Sequence, residues 1–111
     1  MDPKTIFSTK NKQSWEALGN IWNVIGTSDG WSIVTSVLKE EGINTSVLQK
    51  RAGVPTGRFF PKLRLLVDYG MLQRKVDQNR NVSYNVSKLG EQVLEAGDKV
   101  IEELLRTQAD V

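Results

Sequence analysis

The sequence contains no cysteine and no histidine among its 111 residues. Without cysteine there is no disulfide framework, no thiolate nucleophile and no cysteine-based zinc or iron–sulfur site. Without histidine the commonest metal ligand and general base is missing as well. Carboxylate pairs, a desolvated lysine or a serine without its usual base remain possible for catalysis, and none of these stands out. We therefore expect that the protein is not an enzyme and that it has no catalytic residues, no metal site and no cofactor.

Long apolar runs and proline are also scarce. No stretch approaches the roughly 18 apolar residues that are needed to cross a bilayer, and the first fifteen residues lack the core of a signal peptide. Apolar residues make up 39% and charged residues 25% of the chain, which is close to the average for globular proteins and far from disorder. Length and composition predict one soluble, cytoplasmic domain with no membrane contact.

Apolar residues recur at spacings of three and four in several segments, as amphipathic helices require. A first helix is predicted over residues 14–26, after a loose N-terminal segment over residues 1–12. A second helix is capped by Ser28 or Asp29 and runs to about Glu41. The predicted inner face of this second helix consists of Trp31, Val34, Val37 and Leu38.

The next block predicts two helices joined by a tight turn. A short helix over residues 46–52 is followed by the turn Gly-Val-Pro-Thr-Gly and by a longer helix over about residues 57–69. Ser46 begins an S-x-x-Q capping box, and Asn44 and Thr45 are alternative caps. Two helices connected in this way form a helix-turn-helix.

Two strands and a last helix complete the chain. Residues 72–76 and 82–86 flank the polar tract Asp-Gln-Asn-Arg-Asn, which is suited to a turn, so this segment predicts a β-hairpin. Ser87 then caps a helix over residues 88–109, which carries two neighbouring apolar stripes. The predicted architecture is mainly α with one two-stranded sheet.

Positive charge is concentrated in one part of the chain. Residues 50–80 contain eight cations and two acids, a net charge of +6, whereas residues 89–111 contain six acids and two cations, a net charge of −4. Charges often do no more than solvate a surface. Here the cations coincide with the helix-turn-helix and the hairpin, and a duplex attracts such a surface through its phosphates. This distribution favours nucleic-acid binding.

Two motifs carry a resemblance to a known family. The pattern L-x-x-L-x-x-x-G-L is matched by Leu63, Leu66, Gly70 and Met71, and Y-x-[LV]-T-x-x-G is matched by Tyr84, Val86, Ser87 and Gly90. At this spacing they resemble the winged helix-turn-helix regulators of the ArsR, MarR and HxlR types. The resemblance implies a winged-helix core over residues 29–87, with a two-stranded wing, an extra N-terminal helix and a long C-terminal helix.

The resemblance also implies how the protein binds double-stranded DNA. The helix over residues 57–69 would lie in the major groove, and the wing would reach the adjacent minor groove. Arg58, near the start of that helix, is the first choice for a guanine contact, whereas Lys62 and Arg64 would meet phosphates. The implied DNA-binding residues are Lys50, Arg51, Thr56, Arg58, Phe60, Lys62, Arg64, Arg74, Lys75 and Arg80.

Pro61 departs from the family pattern, because it falls about one turn into the predicted reading helix and cannot donate a backbone hydrogen bond. Either the regular helix starts later than predicted or its first turn is distorted. Arg58, Lys62 and Phe60 are expected to point outward or sideways. Phe60 is then either an apolar contact to thymine methyl groups or a core residue.

The last helix is more apolar than one small core requires, which predicts that it packs against its own copy in a C₂ dimer. The alternative is that both stripes fold back onto the first helix of the same chain. The three tryptophans are interpreted as core or dimer interface rather than as an effector pocket, and no effector can be named. The predicted interface residues are Trp15, Leu18, Trp22, Val93, Leu94, Val100, Ile101, Leu104 and Leu105.

The sequence thus predicts a homodimeric transcriptional regulator that binds double-stranded DNA sequence-specifically and is associated with the nucleoid. Two alternatives remain: a winged-helix module that binds another protein in a transcription or replication assembly, and an architectural DNA-binding protein with little sequence preference.

Overall fold

The computed structural model describes Asp2, Lys4 and residues 11–109. In this part of the chain five helices surround a small sheet, which confirms the mainly helical architecture. The helices are α1 (Lys12–Ile25), α2 (Ser28–Lys39), α3 (Thr45–Ala52), α4 (Thr56–Asp68) and α5 (Lys88–Ala109). The strands are β1 (Ile43–Asn44), β2 (Leu72–Val76) and β3 (Val82–Val86). Most of the segment predicted to be loose lies outside the described residues.

The corner between α1 and α2 is held by a threonine that the sequence analysis passed over. Thr27, and not Ser28 or Asp29, caps α2: its Oγ1 accepts a hydrogen bond from the Gly30 amide at 3.1 Å and donates one to the Val24 carbonyl at 2.7 Å. A Cβ on Gly30 would lie 1.9 Å from the Val24 oxygen. The corner therefore admits no side chain at residue 30, and the start of α2 is fixed against α1.

The helix-turn-helix forms as predicted, with shifts of one residue at its boundaries. Asn44 caps α3, since its side chain accepts a hydrogen bond from the Val47 amide at 2.9 Å. Gly53 ends α3 in the left-handed conformation with φ of +67°. The next helix, α4, begins at Thr56 and continues through Pro61. It therefore starts one residue earlier than predicted, not later as Pro61 suggested.

The sheet has three strands instead of two. Its order is β1-β3-β2, and both pairings are antiparallel. Ile43 pairs with Tyr84 and Asn44 with Ser83, so the segment that follows α2 adds an edge strand to the predicted hairpin. A strand of two residues is too short to show the alternation by which strands are recognised in a sequence.

The core lies between α2, α3, α4 and the inner face of the sheet, and Ile21 and Val24 of α1 and Val93 of α5 complete it. Ser87 connects the sheet to α5, because its Oγ accepts a hydrogen bond from the Gly90 amide at 2.8 Å and donates to the carbonyls of Gly70 and Met71. This confirms Ser87 as the cap of α5. The largest fully buried side chains are Phe59, Ile33, Ile43, Leu48, Leu66, Met71, Val34 and Val37.

The predicted inner face of α2 is wrong at both of its ends. Trp31 is 61% exposed and Leu38 46% exposed, whereas Ile33, Val34 and Val37 are buried. With 3.6 residues per turn, Gly30, Ile33, Val34 and Val37 define one stripe, and Trp31 and Leu38 lie at its flank. The close approach of Gly30 to α1 sets this rotation of the helix.

None of the described helices combines the length and the apolar character that crossing a membrane requires.

Two glycines in first helical turns provide a matched test of the packing. A Cβ on the buried Gly90 would lie 2.3 Å from the Met71 carbonyl oxygen, whereas a Cβ on Gly57 would meet nothing within 4 Å. We expect Gly90→Ala to lower the free energy of unfolding by about 1–3 kcal/mol. Gly57→Ala should leave it unchanged or raise it by up to about 1 kcal/mol. Urea denaturation with a constant m value measures both, and equal stabilities for the two variants would contradict this packing.

Candidate nucleic-acid interface

One face of α4 is buried in the core and the opposite face is exposed. Phe59, Leu63 and Leu66 are buried on one side of the helix. On the opposite side Gly57, Pro61 and Arg64 are exposed, at spacings of four and three residues. Of the predicted DNA contacts on α4, Arg64 lies closest to the middle of this face. Gly57 was not among the predicted contacts and Pro61 was expected only to disturb the helix, although their spacing places both opposite the core.

Arg58 lies at the flank of this face that is nearer to α2. Its Nε donates a hydrogen bond to Oδ2 of Asp29 at 2.9 Å, and its side chain remains 65% exposed. The hydrogen bond and the negative charge of Asp29 raise the pKa of Arg58. Sequence analysis did not identify Asp29 as a partner, because the two residues are 29 positions apart and no local pattern connects them.

The three other predicted contacts at the start of α4 differ in exposure. Thr56 is exposed, and its Oγ1 accepts a hydrogen bond from Nε2 of Gln49 on α3 at 2.8 Å. Lys62 is half-buried, which is compatible with the expectation that it points outward or sideways. Phe60 is 45% exposed and stands edge-on to Phe59 with ring centroids 5.0 Å apart, which makes it a surface residue and not a core residue.

A groove separates α4 from the wing, which is formed by β2, β3 and the turn between them. Its volume is about 470 Å³. Arg64 of α4 and Arg74 of β2 both line it, together with Phe60 and Tyr84. Asp68, one helical turn after Arg64, approaches its guanidinium to 3.9 Å. This exposed pair is weak, so Arg64 remains available to another anion.

A second groove lies on the other side of the wing, against the start of α3, and has a volume of about 950 Å³. Lys75 and Arg80 line it, with Thr45 and Ser46 from the first turn of α3. Because successive residues of a strand point to opposite faces, Arg74 and Lys75 project to the two sides of the wing. The structure therefore divides the predicted cations between both sides of the wing.

Lys50 and Arg51 belong to neither groove. Both are exposed on α3, and Nη2 of Arg51 forms an ion pair of 3.2 Å with Glu40, at the end of α2. The structure thus turns Arg51 towards α2.

The tip of the wing is closed by Asp77. Its Oδ1 accepts hydrogen bonds from the amides of Asn79 and Asn81 at 2.8 and 2.9 Å, and its carbonyl accepts one from the Arg80 amide at 3.1 Å. Arg80 takes φ of +63°, which is uncommon for a residue with a side chain. The hydrogen bonds from the backbone, chiefly from Asn81, lower the pKa of Asp77. This turn places the Arg80 side chain at the tip.

A separate apolar surface lies where α1, α2 and α5 meet. An added Cβ on Gly97 of α5 would lie 2.9 Å from Cζ3 of Trp22, so the indole packs closely against this helix. A cleft of about 520 Å³ opens beside it and includes Trp31. Large side chains that remain more than half exposed on α5 are Val100, Ile101, Leu104 and Leu105.

The predicted dimer residues on α1 and on the first half of α5 are covered to different degrees. Trp15 and Trp22 are 37% and 36% exposed and Leu18 is half-buried. Leu94 is partly buried against the core, and Val93 is 5% exposed. Val93 therefore faces the core of its own chain, which corrects its assignment to an interface.

Among the described residues, no three histidine, cysteine, aspartate or glutamate side chains come together in a way that could hold a metal ion.

No protein-family model matches the chain, and no curated protein sequence matches it significantly. Solved structures, in contrast, match the chain in fold. A transcriptional regulator of the ArsR family is 19% identical, with 82% of this chain and 92% of that chain covered and a TM-score of 0.60. The fold is a winged helix-turn-helix. MarR is 20% identical over 93% of this chain and 77% of its own, with a TM-score of 0.59.

A third similar structure contains DNA. It is a variant of MepR from Staphylococcus aureus bound to an oligodeoxyribonucleotide, 15% identical over 99% of this chain and 83% of that chain, with a TM-score of 0.62. These proteins are transcriptional regulators and not enzymes. The resemblance to ArsR and MarR winged-helix regulators is thus confirmed at the level of the fold. The resemblance to the HxlR type stays a prediction.

The hydrogen bonds at the tip of the wing predict a pH dependence. Because the folded state lowers the pKa of Asp77, its carboxylate stabilises the turn above the ordinary value of 3.8 and loses this effect as the pH falls through the lowered value. The amide resonances of Asn79 and Asn81 should therefore titrate with a midpoint below 3.8. In Asp77→Asn this titration should disappear, and a midpoint at or above 3.8 in the unchanged protein would contradict the turn geometry.

Proposed function

We propose that this protein is a sequence-specific regulator of transcription that binds double-stranded DNA. The observation that carries the proposal is the exposed outer face of α4, with cation-lined grooves on both sides of the wing beside it. The outer face of α4 enters the major groove, and Arg80 at the tip of the wing reaches the adjacent minor groove. Such a regulator acts in the cytoplasm, at the nucleoid.

The charges of the chain support this orientation. The net charge of +6 over residues 50–80 belongs to α3, α4 and the wing, whereas the net charge of −4 over residues 89–111 belongs to α5 and the chain end. A duplex carries a negative charge about every 1.7 Å of its axis, so it attracts the first surface and repels the second. The proposed phosphate contacts are Lys50, Arg51, Thr56, Lys62, Arg64, Arg74 and Lys75.

Contacts to bases come from two residues of α4. The Arg58 side chain is 65% exposed at the third helical position, where its guanidinium can donate two hydrogen bonds to a guanine. Phe60 is 45% exposed and lines the groove between α4 and the wing, which suits contact with a thymine methyl group. Gly57 and Pro61 lie on the outer face of α4 and have little side-chain bulk. They therefore permit a close approach of the helix backbone to DNA.

The protein acts as a homodimer in this proposal. Its two copies join through the exposed apolar surface of α1, α2 and α5, which contains Trp15, Leu18, Trp22 and Leu94 together with Trp31 and the four exposed residues on α5. A second copy suits this surface because a C₂ interface needs one self-complementary patch, and the end of α5 presents a stripe beside an apolar cleft of about 520 Å³. The two α4 helices then face successive major grooves, about 34–36 Å apart.

Binding to random and selected duplexes at several salt concentrations tests the DNA proposal and separates the alternatives. Sequence-selective binding supports the regulator, and uniform binding indicates an architectural protein. No binding at low salt indicates a module that binds another protein, and it would overturn the proposal.

Replacement of Arg80 by Gln should weaken binding to all duplexes to a similar extent and reduce the salt slope by about one. The physical reason is the loss of one contact between a cation and the DNA at the tip of the wing. Arg106→Gln is the matched control, since it removes the same charge from an exposed residue of α5 that pairs with Glu103. Fluorescence anisotropy at four salt concentrations measures the slopes. Equal salt slopes for the two variants would indicate that the wing does not contact DNA.

Replacement of Ile101 by Asp should convert the dimer to a monomer at tens of micromolar protein. Ile101 is 54% exposed in the single chain. Burial of one large apolar side chain in the interface would stabilise the dimer by about 1.5–3 kcal/mol. An aspartate at this position would lose this contribution and would place a charge in the interface. Val76→Glu is the control, because Val76 is similarly exposed at 52% but belongs to the wing. Sedimentation equilibrium gives both masses. A monomeric unchanged protein would refute the dimer and leave the DNA proposal standing.

A further inference from the structure

The ion pair between Arg58 and Asp29 connects the base-contacting helix to a residue that belongs to neither the helix-turn-helix nor the wing. Both α2 and α4 contribute one partner, and Nε of Arg58 lies 2.9 Å from Oδ2 of Asp29. We propose that Asp29 is a positioning residue, which holds the guanidinium of Arg58 in the orientation that recognises guanine. This inference rests on the proposed function, because it concerns the specificity of the same DNA contact.

The first argument is that Asp29 contacts only one edge of the Arg58 guanidinium. A guanidinium has five N–H groups in one plane, and Asp29 takes the one on Nε. Among the described residues, no hydrogen-bond or ion-pair partner is recorded for Nη1 or Nη2 of Arg58. These two nitrogens form the edge that can donate in parallel to O6 and N7 of guanine. Asp29 therefore occupies one edge and leaves the recognition edge free.

The positions of both partners are fixed by their own helices, which is the second argument. Asp29 is next to Gly30, where the backbone of α2 lies so close to the Val24 carbonyl that no side chain fits. Arg58 is next to Phe59, which is completely buried, and its own amide donates to the Pro55 carbonyl at 2.9 Å. Because both backbones are held in place, the hydrogen bond between the two side chains restricts the rotamers of Arg58 before DNA binds. Immobilisation of a flexible side chain in advance lowers the entropic cost of binding.

The charge of Asp29 is compatible with this role. Its side chain is 21% exposed in the first turn of α2, where the N-terminal end of the helix dipole favours a negative charge. The same charge repels DNA phosphates. If Asp29 merely competed with DNA for Arg58, its removal would strengthen binding and would leave the preference for guanine unchanged or raise it. A positioning role predicts instead that the preference for guanine falls.

A double-mutant cycle distinguishes these roles. The four proteins are the unchanged protein, Asp29→Asn, Arg58→Ala and the double variant. Each is titrated with the duplex chosen by binding selection and with duplexes in which one guanine at a time is replaced. The unchanged protein should prefer one guanine that Arg58→Ala no longer distinguishes. Asp29→Asn should reduce that preference by about threefold to tenfold, and it should have no further effect on preference when Arg58 is already alanine.

Asp68→Asn is the matched control, because it removes the same charge from an exposed aspartate that pairs with an arginine of α4 at 3.9 Å. It should strengthen binding to all duplexes without changing the preference. Thermal denaturation verifies that each variant is folded. Unchanged guanine preference in Asp29→Asn, or an equal loss in the Arg58→Ala background, would overturn the positioning role while the DNA proposal stands. If the unchanged protein binds no duplex at low salt, the proposed function itself fails, and the positioning role with it.

Discussion

The burial of one side of α4 is the constraint on which the rest of the structure depends. Phe59, Leu63 and Leu66 pack into the core that α2 and α3 share, so α4 has only one possible rotation about its axis. That rotation exposes Gly57, Pro61 and Arg64 on the opposite side. A fully buried phenylalanine in the first turn is costly to displace, so it anchors the start of the helix to the core. The two residues that we propose to contact bases, Arg58 and Phe60, therefore belong to a helix whose orientation is fixed by the core.

Electrostatics divides the molecule into two parts with different tasks. The cations of α4 and the wing line two grooves, whereas the acids of α5 flank an apolar stripe. In the proposed complex the first part approaches the phosphates and the second stays away from them. The two parts are joined by Ser87, whose hydroxyl bonds to the end of the α4–β2 connection and to the first turn of α5.

Two close approaches at glycine determine how α1, α2 and α5 meet. Gly30 allows α2 to start against the carbonyl of Val24, and Gly97 allows the indole of Trp22 to lie on α5. The first contact rotates Trp31 out of the core, and the second leaves an apolar cleft between the helices. Together they create the surface to which we assign a second copy of the chain.

Local patterns in the sequence were sufficient for most of the helices and for the hairpin. Apolar spacing located α4 and α5 to within one residue, and Gly53 and Ser87 were identified as caps because capping depends on a few neighbouring atoms. For α3 the capping box favoured Ser46, and Asn44, which caps the helix, was only one of two alternatives. The two-residue strand β1 was missed, since its partner is forty residues away and two residues show no period. The first residue of α2 was misplaced because Thr27, Ser28 and Asp29 are all good caps, and only the turn geometry selects among them.

The candidate site followed the same division. Composition and charge along the chain determined which residues are cations and which helix carries them, because these properties need no knowledge of distant neighbours. The tertiary structure alone decided that Arg58 is held by Asp29, that Arg74 and Lys75 lie on opposite sides of the wing, and that Val93 is buried while Trp31 is not. Such facts depend on the rotation and crossing of packed helices, which arise from contacts between residues far apart in the chain.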